Sequence, residues 1–245
     1  MKKSFLVALS LLVTAGAFAQ QEIQKELKSF SHIIASPRVN LILKKGDKES
    51  IRLVYNDVSK SKINIEVSNH TLHIYLDNAR KVEKMDPYEP SYGSRRNMYD
   101  GVSITAYVTY RSLEGLEIRG NQELTCYDPI ESSEFRLRAY GENDITLASL
   151  KTDFFKATLY GTNKLKISKG KVVEQKYKLY GENKIDTRDL KSAYASTSIF
   201  GEGQLRITST EEVRVDAFGE PDIYVNGGAH VNRRLVFGRT HIQHD

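Results

Sequence analysis

Tyr140, Tyr160, Tyr180, Phe200, Phe218 and Phe237 each stand immediately before a glycine, and they recur roughly every 20 residues. Aromatic faces stack on flat apolar surfaces and on one another, so a row of them on a polar face is a candidate platform for sugar rings. Their company is polar: Arg138, Thr158, Lys178, Ser198 and Asp216 lie two residues before successive rings. The same residues also fit a purely structural ladder, in which ring-on-ring contact stabilises a corner by about 0.5–1.5 kcal/mol per pair. The binding candidates in this row are Tyr140, Tyr160, Tyr180, Phe200 and Phe218.

A second candidate lies between residues 77 and 100, where Tyr88, Tyr92 and Tyr99 accompany Arg95 and Arg96. Tyrosine with arginine is a common contact chemistry, and long loops on rigid scaffolds often carry binding. One residue after the glycines, Glu142, Glu182, Glu202 and Glu220 form a carboxylate column of the kind a hard cation takes up. Lys164, Lys184 and Arg206 stand close enough in sequence to neutralise it, and no metal site is expected.

Catalytic constellations are missing from the sequence. Asp144 and Asp222 share a repeat position but are four repeats apart, too far for paired-carboxylate chemistry. The six histidines show no HExxH-like spacing, and no Gly-x-Ser-x-Gly elbow occurs. No catalytic residue, cofactor or enzymatic activity is expected.

What positions these residues is a repeat. Glycines at 120, 141, 161, 181, 201, 219 and 238 sit in the frame aromatic-Gly-x-x-x-(Leu/Ile). Two residues before them stand Ile118, Ala139, Leu159, Leu179, Ile199, Ala217 and Val236. Four after stand Leu124, Ile145, Leu165, Ile185, Leu205, Ile223 and Ile242. A coil of roughly 20 residues cannot bury its own apolar face and needs neighbours on both sides, so these columns point inward and alternation turns the aromatics outward. The glycine fits a corner requiring positive φ. Asn143, Asn163 and Asn183 suit the same corner through tolerance of left-handed geometry and through amides stacked along the axis. The reading is an all-β solenoid over residues 111–245.

Residues 20–110 read as strands. Val39, Leu41 and Leu43, then Ile51, Leu53 and Tyr55, then Ile63, Ile65 and Val67, then Leu72, Ile74 and Leu76 alternate with polar residues. Turn formers separate them at Gly46-Asp47, Asn56-Asp57 and Asn69-His70, which predicts mostly hairpins. No segment after residue 19 predicts a helix.

Met1-Lys2-Lys3, the apolar run from Phe5 to Val13 and Ala17-Phe18-Ala19 form a signal peptide over residues 1–19. The mature chain then begins at Gln20 and is expected in the periplasm, at the cell surface or secreted, with no transmembrane segment. Loss of Lys2 and Lys3 lowers the formal net charge by two, from +5 to +3, a mildly basic balance that does not predict a nucleic-acid partner. Cys126 is the only cysteine, so no internal disulfide forms.

The opening Phe30-Ser31-His32-Ile33-Ile34-Ala35-Ser36, the strands to Leu76, the resumption at Val102 and the Gly-x-Asn ladder together resemble the putative auto-transporter adhesin head GIN domain family. The resemblance spans nearly the whole mature chain. It implies a right-handed parallel β-helix with strand-rich N-terminal coils, one domain over residues 20–245, and no established reaction. Ser36 and Pro37 stand where an early glycine is common in that family. The expected function is non-enzymatic binding of a glycan or an envelope protein through the lateral face. The alternatives are a polysaccharide-processing enzyme and a purely structural envelope module. The C-terminal end coil is a candidate surface for a homo-oligomer, and the N-terminal strands are expected to cap the other end.

Overall fold

The computed structural model of the chain describes residues 21–84 and 97–244. The segment expected to be a signal peptide, residues 1–19, and the loop candidates Tyr88, Tyr92, Arg95 and Arg96 lie outside the described residues.

The fold is a parallel β-solenoid. Gly115–Glu131 (β8), Glu134–Ile167 (β9) and Gly170–Asn226 (β10) are long runs that turn corners while keeping ladder hydrogen bonds to the coils on either side. Register is held by composition: Gly120 lies opposite Gly141, Gly161 opposite Gly181, and Leu165 opposite Ile185. A one-residue slip would send every inward side chain to solvent. The apolar columns are accordingly inside, with Ile118, Ala139, Leu159, Leu124, Ile145 and Leu165 all at most 1% exposed. Cys126 also points inward, where its thiol meets the Tyr110 hydroxyl at 3.4 Å, and burial pushes its pKa up.

The corner glycines have positive φ, from +94° to +135°. Space is as restrictive as torsion: a Cβ on Gly161 would lie 2.2 Å from the carbonyl oxygen of Gly141. Asn143, Asn163 and Asn183 do not share this backbone geometry, contrary to expectation. Their role is the other one anticipated, a buried amide ladder: Asn143 Nδ2 donates to Asn163 Oδ1 at 2.8 Å, and Asn163 Nδ2 to Asn183 Oδ1 at 3.0 Å. In the first coil Pro37 occupies the position of Gly120, and the turn passes to Arg38, with φ +75°.

Before the regular coils, His32–Ala35 (β2) and Val39–Lys45 (β3) pair in parallel with β8. Beyond β2 come Thr71–Leu76 (β6), parallel, and Ile63–Ser68 (β5), antiparallel. Beyond β3 come Ile104–Tyr110 (β7), parallel, then Ser50–Tyr55 (β4) and Gln21–Glu26 (β1), each antiparallel to its neighbour. The hairpin expectation holds for β5 and β6, whose turn uses Asn69 and His70 at positive φ. It fails for β3 and β4, because β7 lies between them. In that position Ile104, Ala106 and Val108 fall opposite Val39, Leu41 and Leu43 and extend the inward columns by one layer, which a hairpin would not do. At the other end, His230–Phe237 (β11) and His241–His244 (β12) pair with β10. Among the described residues there is no α-helix and no helix long and apolar enough to cross a membrane.

Candidate functional site

Three outward columns lie on one sheet face, one, three and five residues before each corner glycine. Strand alternation places them there: Arg136, Arg138 and Tyr140 are exposed, while Leu137 and Ala139 between them are buried. The next coil repeats the alternation with half-buried Lys156 and Thr158 and exposed Tyr160, and the one after with half-buried Lys176, Lys178 and Tyr180, around buried Ala157, Leu159, Tyr177 and Leu179.

The aromatic column is a continuous stack. From Tyr140 to Tyr160, Tyr180, Phe200, Phe218 and Phe237 the ring centroids are 5.3, 4.5, 5.1, 4.8 and 5.3 Å apart. The first four pairs are coplanar within 4°. Of the two arrangements open to these residues, the geometry is that of the self-stacked ladder and not of a flat ribbon with its faces open to sugar rings. Each interior ring has both faces covered by its neighbours, so the ladder offers solvent its edges. The reason is the axial repeat: parallel strands stand about 4.8 Å apart, a spacing at which aligned rings meet face to face and leave no room for an intercalated sugar. Tyr140, Tyr160 and Phe200 remain 37%, 39% and 40% exposed at those edges. The buried amides below bind main chain, Asn163 Nδ2 to the Tyr160 carbonyl and Asn183 Nδ2 to the Tyr180 carbonyl. The phenol hydroxyls are left without a protein partner among the described residues.

Arg138 and Lys178 flank the rings directly in sequence, whereas Arg136, Lys156 and Lys176 lie one strand position further out and join the cationic columns only in the folded chain. Alignment on the glycine would have found them, since all three stand five residues before it. Glu134 takes Arg136 through two hydrogen bonds of 2.6 and 3.0 Å, and Glu117 lies 3.6 Å from Arg138 while also holding Arg119. Among the described residues Lys156, Lys176 and Lys178 have no ion pair. Partial burial and the field of Lys178, Lys176, Arg136 and Arg138 depress the Lys156 pKa below the usual lysine range. At its N-terminal edge the face opens into a cleft of about 250 Å³ lined by His32, Thr71, Gly115, Glu117, Arg136 and Arg138. Gly115 occupies the position equivalent to Arg136, and the His32 ring lies where its side chain would begin.

On the far side of the corner, a groove of about 570 Å³ runs between the first rungs and the stem of the loop at residues 77–100, with Arg38, Val82, Arg119 and Tyr140 among its walls. The stem is held firmly. Arg38 pairs with Glu83 at 2.8 Å, Ser36 Oγ donates to the Arg80 carbonyl at 2.6 Å, and Arg119 donates to the same carbonyl at 3.0 Å. Tyr99, expected as a contact residue, is instead an anchor: it is 3% exposed and its hydroxyl donates to the Asp77 carbonyl at 2.8 Å.

The glutamate column is less neutralised than its sequence neighbours suggest, since Glu220 pairs with Arg239 at 3.9 Å rather than with Lys164, Lys184 or Arg206. No group of three or more His, Cys, Asp or Glu side chains able to hold a metal ion occurs among the described residues.

Comparison with known proteins agrees with this architecture. Residues 29–229 match the model of the family described as putative auto-transporter adhesin, head GIN domain. No curated protein sequence matches. A putative adhesin from Bacteroides fragilis superposes with a TM-score of 0.69 at 16% identity, over 94% of this chain and 98% of that one. A putative adhesin from Parabacteroides merdae gives 0.66 at 14% identity, over 92% and 95%. A putative lipid binding protein from Parabacteroides distasonis gives 0.61 at 12% identity, over 92% and 96%. At such identities the likeness is one of fold.

Proposed function

Because the chain belongs to the putative auto-transporter adhesin head GIN domain family, we propose that it is an exported, non-enzymatic binding module that recognises a glycan through the lateral face of its solenoid. One observation carries the reading: Tyr140, Tyr160 and Tyr180 are immobilised by stacking, and yet Tyr140 and Tyr160 stay exposed and Tyr180 only half-buried. A rigid row of phenol groups at the coil repeat binds hydroxyl-rich chains at little entropic cost, because the side chains are already ordered. Contact is edge-on, through hydrogen bonds, rather than by sugar stacking. Export rests on the basic start, apolar run and Ala17-Phe18-Ala19 of the leader, which would deliver the mature chain to the periplasm or beyond.

The test is a glycan array probed with purified protein and with the triple variant Tyr140→Phe/Tyr160→Phe/Tyr180→Phe, which keeps the stack and removes the hydroxyls. Binding should fall in the variant while circular dichroism and melting stay as in the parent. Undiminished binding by the variant would remove the ladder from the site, and turnover of any polysaccharide by the parent would overturn the non-enzymatic reading.

A second surface favours a protein partner, a further copy of the chain. Leu235 and Phe237 in β11 are 48% and 59% exposed, and Val231, Val236 and Ile242 are only partly buried. Val231, Val236 and Ile242 continue the inward columns and Phe237 ends the ring ladder, so these four stand open where their counterparts in interior coils are covered, and contact between two such ends would cover them; Leu235 adds an exposed apolar side chain in the outward column, opposite Asp216. Analytical ultracentrifugation should show self-association that weakens in Leu235→Asp/Phe237→Asp; a strict monomer would dismiss it.

A further inference from the structure

The aromatic ladder changes character along its length, and the columns beside it change with it. Its first three rungs are tyrosine and its last three phenylalanine. Beside the tyrosines, the positions three and five residues before the glycine hold Arg136, Arg138, Lys156, Lys176 and Lys178, interrupted only by Thr158. Beside Phe200 and Phe218 the same positions hold Ser196, Ser198, Arg214 and Asp216. Arg214 is held by Glu212 at 2.8 Å. Hydroxyl-tipped rings and cations thus coincide in three consecutive coils, the unpaired lysines standing in the second and third, and among the described residues hydroxyl-tipped rings and unpaired cations are both absent from the next two.

From these observations we propose that the sheet face carrying Lys156, Lys176 and Lys178 beside Tyr140, Tyr160 and Tyr180 is a binding site for an acidic polysaccharide, one bearing carboxylate or sulfate groups. The inference rests on the glycan reading above and narrows it to a ligand class.

Charge and dimensions both point to this class. Of the five cations, Glu134 and Glu117 engage the two arginines at the N-terminal edge, and the three lysines are left to an external anion. Lys156 and Lys176 are directly opposite on adjacent strands, as are Thr158 and Lys178, so like charges face each other about 4.8 Å apart. Such an arrangement opposes folding through like-charge repulsion across strands and is relieved when an anion bridges it. The patch extends about 10 Å along the axis and about 13 Å across it, enough for one extended chain. A nucleic-acid duplex carries its phosphates around a cylinder and would meet few of them on so small and flat a face. The cleft at Gly115 continues the cationic face toward Arg136 and Arg138 and gives the chain a place to enter. Anion contacts come from the lysines and hydrogen bonds to neutral sugar hydroxyls from the phenols, a division of labour that dextran and a charged polysaccharide separate experimentally.

The test is retention of the full mature chain on immobilised dextran sulfate, polygalacturonate, unmodified dextran and duplex DNA, over a range of salt. Two variants are compared: Lys156→Gln/Lys176→Gln/Lys178→Gln, and Lys164→Gln/Lys184→Gln as a control that removes two positive charges, against three, on the other side of the corner. Circular dichroism verifies that both remain folded. The parent should bind at least one of the two acidic polysaccharides and bind it more weakly as salt screens the contacts. The triple variant should lose about tenfold or more of that affinity, and the control should keep it. Which acidic polymer binds distinguishes sulfate from carboxylate as the recognised group. Equal binding by the triple variant, or binding of duplex DNA as tight as that of the polysaccharide, would overturn the proposal. Binding to dextran that survives the triple substitution would overturn it and leave the glycan reading intact. Retention on none of the polysaccharides would overturn the proposal, and the glycan reading would then rest on the array alone.

Discussion

At the residue scale the fold depends on atoms that are missing. Gly161 has no Cβ because the neighbouring coil's carbonyl lies where one would be, 2.2 Å away. Gly161→Ala combines that clash with a positive φ of +103°, and the two costs together come to about 3 kcal/mol or more. For a chain of this size the melting midpoint should drop by roughly 6–12 °C. Gly228, also at positive φ but with open space around the added carbon, supplies the comparison: Gly228→Ala should cost only about 1–2 kcal/mol. Similar losses in the two variants would show that torsion alone sets the corner. The glycine period was legible in the sequence as a demand for positive φ. The carbonyl in the way was not, because it belongs to a residue 20 positions distant.

At the scale of the element, the stacked columns act as units. The amide ladder is buried, with Asn163 only 1% exposed, and each member supplies its neighbour. Asn163→Ala would leave the Asn143 donor and the Asn183 acceptor unpaired in the interior, a loss of about 2–4 kcal/mol, to be measured by urea denaturation. A loss below about 1 kcal/mol would mean that water replaces the amide. The aromatic column obeys the same geometry with a different result. Ring faces are consumed by stacking, and what remains for a ligand is the edge, the hydroxyl and the cations alongside. Sequence reading located the column and its outward direction from the apolar neighbours on either side. It could not choose between a sugar platform and a self-stacked ladder, since both require aromatics at the same positions; the coil spacing decided.

At the scale of the whole molecule, burial sets the response to pH. Burial raises the pKa values of the Cys126 thiol and of the Tyr110 and Tyr177 phenols above their usual ranges. The unfolded chain therefore releases these protons first as pH rises. The associated stability is complete below the ordinary thiol range and declines once pH climbs past about 8.5, continuing through the phenol range. Chemical denaturation at a series of alkaline pH values should show this decline, and Cys126→Ala should remove its earliest part. A flat profile between neutral pH and the phenol range would contradict the assignment.

The apolar columns, the glycine period and the alternation around it were determined by sequence alone, because the coil repeat brings like residues together and a list of spacings is then a list of contacts. Where the repeat is absent the partner strand was not readable. β3 and β4 alternate as a hairpin would, yet β7, nearly 60 residues from β3 in the chain, takes the place between them. The alternating pattern states which side of a strand is buried and carries no address for its neighbour. The candidate site falls between these cases. Its tyrosines and lysines sit in columns that sequence can align, but their convergence on one face, the sealing of the ring faces and the lysines' lack of carboxylate partners among the described residues exist only after the coils are stacked, since each depends on distances between residues about one coil apart.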